Sequence, residues 1–286
     1  MAGSRSMTSL PRARGFDWTN FGVRVVSGLV LAVCALAAVW AFDRGGLWRA
    51  PFLFVVTGAA AVLSLEWAAM AAPGAAQRVG VATALVCMGV ILLSFLRFYP
   101  EAWLSVGLGA ALAATLAAGS GARVIDAAYG VLYIAPAGIV IVWLRQSLQG
   151  AGWTLMLFAT AWAADIAAFL VGNVVKGPKL WPRFSPNKTW SGFAGGLAAS
   201  AVAAVGVAAS FMHLSLFGAA VIGLAGGLAT MAGDLWESML KRRFGVKDSG
   251  DLIPGHGGLL DRVDGLMFAV MVFAVARLVV QLGWAH

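Results

Sequence analysis

Residues 154–175 read TLMLFATAWAADIAAFLVGNVV, twenty-two positions that carry a single charge, Asp165. An α-helix crosses a bilayer with about 20 mostly apolar residues, so this stretch predicts a membrane span with one carboxylate at membrane depth. Similar runs precede it at Gly22–Phe42, Pro51–Ala72, Val79–Phe98, Ala102–Gly119 and Ile125–Leu144. Others follow at Thr189–Met212, Leu214–Arg242 and Asp264–Gly283. The run at Ala102–Gly119 is the shortest, and its Gly and Ala content gives it the weakest hydropathy. The first run is longer than the roughly 7–15 apolar residues of a secretory signal, so it reads as an uncleaved first helix.

Composition agrees with this reading. Of 286 residues, 61% are hydrophobic and 11% charged, with a mean hydropathy of +0.87. A soluble domain carries about 25% charged residues. The 36 glycines and the alanine runs suit helices that pack closely without water to drive them together. The expected fold class is therefore an all-α polytopic integral membrane protein of about nine transmembrane helices. No fixed-period repeat is visible.

The net charge of +8 is spread over short connections, with no basic stripe interleaved with aromatics. That excludes a nucleic-acid partner and points to loops beside anionic lipid headgroups. With nine alternating helices, the basic N-terminal tail, Arg78, Arg123, Lys176, Lys179, Arg183, Lys188, Lys241, Arg242, Arg243 and Lys247 share one side, which is expected to be cytoplasmic. Arg44, Arg49 and Arg97 fall on the other. Trp18, Trp48, Trp181 and Trp190 sit near predicted helix ends, as an interfacial belt requires. Cys34 and Cys87 lie inside apolar runs without CxxC spacing and read as small hydrophobes.

Chemistry concentrates near the C-terminus. Six of the twelve acidic residues lie between Asp234 and Asp264. Asp234 and Glu237 share a helix face with Ser238 and Lys241, and Asp261 and Asp264 repeat the three-residue spacing at the next helix start. The loop between them holds Gly245, Gly250, Gly255, Gly257 and Gly258, with Lys241, Arg242, Lys247 and Arg262 around it. Carboxylates suit a hard cation, and glycines with cations suit phosphates. The plainer alternative is a set of solvated loop pairs, with Asp264 merely favouring a helix N-terminus. Acids near membrane depth are costly, which favours function for the cluster. His256 reads equally as general acid, phosphate donor or turn residue. Asp165 reads either as part of the site or as an interhelical partner of Lys188 or Arg183. Glu66, beside Trp67 in the second run, reads as the counter-charge of a nearby arginine and stays outside the candidate site. His213 and His286 receive no role.

The stretch from Ser238 to Asp264 resembles the signature of the phosphatidate cytidylyltransferase (CDP-diacylglycerol synthase) family. It matches at Ser238, Lys241, Arg242, Lys247, Asp248, Pro254, His256, Gly257, Gly258, Asp261, Arg262 and Asp264. A second block is similar to the same family at Asp165, Ala167, Ala168, Phe169, Gly172, Lys179, Leu180, Ser185, Pro186, Lys188, Thr189, Gly192, Gly195 and Gly196. It departs where Ser191 replaces the usual Glu and Asn173 the frequent Arg, so no family role passes to those two positions. The resemblance covers residues 125–285 well. It divides the chain into a cytoplasmic tail (1–19), N-terminal transmembrane helices (20–122) and a catalytic transmembrane region (123–286).

The resemblance implies that CTP and phosphatidate give CDP-diacylglycerol and pyrophosphate in phospholipid biosynthesis. The site would face the cytoplasm from a bacterial-type inner membrane. It implies Mg²⁺ on Asp234, Asp261 and Asp264, with a monovalent cation such as K⁺ as a second ion. Catalytic roles fall to Asp234, Asp261, Lys241 and His256. Substrate contacts fall to Asp165, Lys188, Ser238, Arg242, Lys247, Gly257, Gly258 and Arg262, with Lys188 a candidate for the lipid headgroup. A homodimer is left open. The alternatives are a CTP-dependent enzyme on another lipid, of polyprenol or phytol kinase type, and a secondary transporter. One-sided acids without repeat symmetry count against the latter.

Overall fold

The computed structural model describes residues 18–43, 46–182, 185–250 and 257–283. Its helices are α1 (Trp18–Phe42), α2 (Ala50–Ala71), α3 (Ala76–Phe95), α4 (Tyr99–Ala117), α5 (Val124–Gln146), α6 (Gly150–Val174), α7 (Trp190–Phe211), α8 (Leu216–Arg243) and α9 (Leu260–Gln281). Helices α2 to α9 are each long and apolar enough to cross a membrane. The polytopic all-α expectation holds, including the weakly apolar fourth helix.

Two features depart from the expected outline. Between α6 and α7 the chain forms a small antiparallel hairpin, β1 (Lys179–Trp181) and β2 (Ser185–Thr189), a departure from all-α structure. Thr189 ends this hairpin and caps α7, its Oγ1 accepting from the Gly192 amide at 3.1 Å. Helix α9 starts at Leu260, four residues earlier than its apolar run, so Asp261 and Arg262 belong to its first turn. Hydropathy misses a helix start whose first turn is charged.

Small residues set the contacts that place the polar groups. A Cβ on Gly192 would stand 2.6 Å from the Ala168 carbonyl oxygen, so α7 lies directly on α6. A Cβ on Gly233 would stand 2.5 Å from the Asp264 carbonyl oxygen and 3.0 Å from the Gly265 Cα, so α8 and α9 touch backbone to backbone there. That crossing puts Asp234 beside Asp264.

The earlier helices form a second packed group. Trp67 of α2 is buried, packs at a tilt against Tyr129 and Tyr133 of α5, and donates its Nε1 hydrogen to the Asp126 carbonyl at 2.8 Å. Asp126 also accepts from Arg243 at 2.5 Å, tying the end of α8 to α5. At the other end of α5, buried Arg145 donates to the Val39 carbonyl and the Asp43 carboxylate, each at 2.6 Å.

Candidate active site

Asp165 and Asp234 each lie nine residues before the last residue of their helices, α6 and α8. At 1.5 Å per residue both are about 14 Å inside the helix ends. The acids thus sit deeper than a helix-end reading of the spacing suggests. They line a cavity of about 940 Å³ enclosed by α6, the hairpin, α7, α8 and α9, together with Lys188, Asp261, Arg262 and Asp264. Four carboxylates and four cations, Lys176, Lys179, Lys188 and Arg262, therefore share one space. Lys188 Nζ donates to Asp234 Oδ2. This is the only side-chain ion pair among the described residues that bridges the hairpin to a membrane helix.

Asp261 has a more occupied carboxylate. Its Oδ1 accepts from Lys241 Nζ at 2.5 Å, and its Oδ2 accepts from the amides of Ser249 and Gly258, both at 3.1 Å. An ionised carboxylate offers about four lone-pair sites, so one site on Oδ1 is left. Lys241 also donates to Glu237 Oε2 at 3.3 Å, and the other oxygen of this buried glutamate has no hydrogen-bond partner. Gly257 adopts a left-handed backbone (φ +82°), and a Cβ there would stand 3.1 Å from Asp261 Oδ2. Asp264 is buried, and its Oδ1 accepts from the Gly265 amide at 2.7 Å.

The sequence-derived candidates therefore separate. Asp165, Lys188, Asp234, Asp261, Arg262 and Asp264 meet in the cavity. Lys241 and Gly258 stand behind it as partners of Asp261. Ser238, Arg242 and Lys247 do not line it. Arg242 and Lys247 are exposed at and beyond the end of α8, where the chain has risen past the cavity. His256 lies outside the described residues. Sequence reasoning missed Ser249, which touches Asp261, and it set aside Glu66. No arginine bonds Glu66 among the described residues. The Leu259 and Leu260 amides and the Ser249 hydroxyl do. A glutamate inside an apolar run was the signal available for it.

Magnesium can be tested against this donor set. Among the described residues, no three His, Cys, Asp or Glu side chains converge on one point. Mg²⁺ usually binds through one or two carboxylates plus substrate phosphates and waters, so a complete protein cage is not required. Asp234 and Asp264 provide hard oxygens on the cavity wall, and the remaining site on Asp261 Oδ1 is a third. The residues fit the ion.

Ser191, at the position where the resemblance fails, has a local task. Its hydroxyl donates to the Lys176 carbonyl and lies 3.0 Å from Thr189 Oγ1. Lys176 has a left-handed backbone (φ +59°), so the serine braces the turn that leads into the hairpin.

Comparison with known proteins gives a consistent picture. Residues 22–280 match the model described as the cytidylyltransferase family. The chain is 52% identical over 115 residues to a phosphatidate cytidylyltransferase of Brucella suis, covering 40% of this chain and 43% of that one. It is 40% identical over 148 residues to one from Staphylococcus saprophyticus, covering 51% and 56%. It is 38% identical over 161 residues to one from Pseudomonas aeruginosa, covering 54% and 57%. The chain thus spans about half the length of the curated relatives it matches.

Proposed function

Because the chain belongs to the cytidylyltransferase family, we propose that it transfers the cytidylyl group of CTP to phosphatidate, releasing pyrophosphate and leaving CDP-diacylglycerol in the membrane. The observation that carries this reading is the cavity, lined by carboxylates from α6, α8 and α9 together with Lys188 and Arg262. Relatives named for this activity align with about half of their length, which supports the substrate assignment.

In the reaction a phosphatidate oxygen forms a bond to the α-phosphorus of CTP, and the bond from that phosphorus to the bridging oxygen breaks with pyrophosphate leaving. The attacking phosphomonoester is already anionic at pH 7, so no general base is required. What remains is positioning and charge. Lys188 pairs with Asp234 in this structure, and an arriving phosphate competes with that carboxylate for the ammonium. Arg262, with Lys176 and Lys179, supplies further cations for phosphate oxygens in the cavity. Lys241 keeps Asp261 oriented and adds positive charge behind it. Asp234 and Asp264, with the remaining site on Asp261, would hold Mg²⁺, which would offset the charge that collects on the departing pyrophosphate.

The apolar helices set the enzyme in a bilayer, and the site belongs on the cytoplasmic face of the bacterial inner membrane. The support is the basic character of the cavity end, with Lys176, Lys179, Lys188, Arg242, Arg243 and Lys247 at or beyond the helix ends. The test is the detergent-purified chain with phosphatidate, CTP and Mg²⁺. CDP-diacylglycerol and pyrophosphate are expected in equal amounts. Release of CDP with a phosphorylated lipid would show a kinase and refute the reading.

A further inference from the structure

The first backbone N–H groups of a helix have no partner within it and need an acceptor. At the start of α9 the capping position is Leu259, whose side chain makes no cap hydrogen bond. The acceptor comes instead from α2, more than 190 residues away. Glu66 Oε1 accepts from the Leu259 amide at 2.8 Å, and Oε2 accepts from the Leu260 amide at 2.8 Å and the Ser249 hydroxyl at 3.4 Å. The glutamate is buried, with 8% of its surface exposed. Its side chain also packs against two glycines. A Cβ on Gly250 would stand 3.4 Å from Glu66 Cγ, and one on Gly258 would stand 2.9 Å from Glu66 Oε2.

From this geometry we infer that Glu66 is a positioning residue for the transfer reaction, holding the first turn of α9 in register from the otherwise non-catalytic α2. It acts on the site through two amides and one hydroxyl. The turn it caps carries Asp261 and Arg262, and Asp264 follows on the next turn. Ser249 is shared, its hydroxyl going to Glu66 and its amide to Asp261. The two carboxylates together clasp both flanks of the segment between Ser249 and Gly258. A carboxylate at a helix N-terminus also interacts favourably with the helix dipole. Loss of Glu66 removes the acceptor of the part-buried Leu259 amide, the buried Leu260 amide and the Ser249 hydroxyl, and the first turn of α9 is the part free to move in response.

The inference rests on the proposed transferase reading, and the test has one arm independent of it. Hydrogen exchange is followed by mass spectrometry on the full chain in detergent, as wild type, Glu66→Gln and Glu66→Ala. In Glu66→Ala, exchange in the peptide spanning Gly257 to Asp264 is expected to rise about 10-fold or more, with peptides of α6 and α7 unchanged. In the transferase assay, kcat is expected to fall about 10- to 100-fold, the effect of a sub-ångström to 1 Å misplacement of catalytic groups. KM for phosphatidate is expected to change less than about 3-fold, because Lys188 stands on the hairpin and is untouched. Glu66→Gln keeps one acceptor oxygen and is expected to fall between the two, which keeps the test decisive if Glu66→Ala does not fold. Exchange that rises equally in every helix would make Glu66 a general stability residue and overturn the inference. So would local loosening with an unchanged kcat. A wild-type chain that never consumes CTP would sink the transferase reading, while the exchange arm would still decide whether Glu66 caps α9.

Discussion

Asp234 and Asp261 look equivalent in the sequence, each heading an acidic pair, yet the structure predicts different outcomes for the same Asp→Asn change. Asp261 is paired with Lys241, and the two side chains are only 10% and 14% exposed. An asparagine there has no good orientation. With its NH₂ toward Lys241 it sets donor against donor. With the NH₂ toward the loop it faces the amides of Ser249 and Gly258. Hydrogen bonds to charged groups contribute about 1.5–3 kcal/mol each, and breaking a buried ion pair costs about 3–5 kcal/mol. The site is not fully dry, so we expect Asp261→Asn to destabilise the protein by about 2–4 kcal/mol. Asp234 and Lys188 are 37% and 27% exposed, and such a pair contributes about 0–1 kcal/mol. Asp234→Asn is therefore expected to unfold within about 1 kcal/mol of wild type. Both variants are expected to lose turnover by about 10²-fold or more, the scale of a lost preorganised contact to the transition state. Any remaining activity of Asp234→Asn is expected to need more Mg²⁺ for its half-maximal rate. The assays are denaturant unfolding in detergent micelles and CDP-diacylglycerol formation across a Mg²⁺ series. Equal stabilities for the two variants would refute the structural distinction. Wild-type rates at low Mg²⁺ in either would refute its place at the metal.

Three further outcomes are expected. Single cysteines at Lys179 and Lys247, in a chain lacking Cys34 and Cys87, are expected to resist a membrane-impermeant thiol reagent in intact cells and to react after lysis; labelling from outside would invert the topology. Ser191→Ala removes one exposed hydroxyl contact to the Lys176 carbonyl and no carboxylate, so turnover within about 3-fold of wild type and a stability change of about 0.5–1.5 kcal/mol are expected; near-complete loss of activity would reveal a direct role for the hydroxyl. Gly233→Ala forces α8 from α9 at the crossing beside Asp234 and Asp264, and a loss of about 1–3 kcal/mol with at least about 10-fold slower turnover is expected. A fully active Gly233→Ala would show that the spacing of these helices does not control the site.

Each membrane crossing is a local property, readable in about 20 consecutive residues because hydrocarbon leaves the backbone no partner but itself. The run at residues 154–175 therefore announced α6 without any knowledge of its neighbours, and the clustered acids between Asp234 and Asp264 announced a polar site by their spacing alone. Where the polar side chains go was not local. Lys188 reaches Asp234 across 46 positions, Arg243 reaches Asp126 across 117, and Glu66 reaches the start of α9 across more than 190. No periodicity encodes these pairings. They follow from glycines such as Gly192 and Gly233 that let particular helices touch, which fixes the carboxylates facing the cavity and those spent on the chain itself. Glu66 and Asp165 are both single acids on apolar helices in the sequence. Only the packing makes one a brace for a helix end and the other a wall of the cavity, because a carboxylate takes its role from the donors the fold brings within about 3 Å of it.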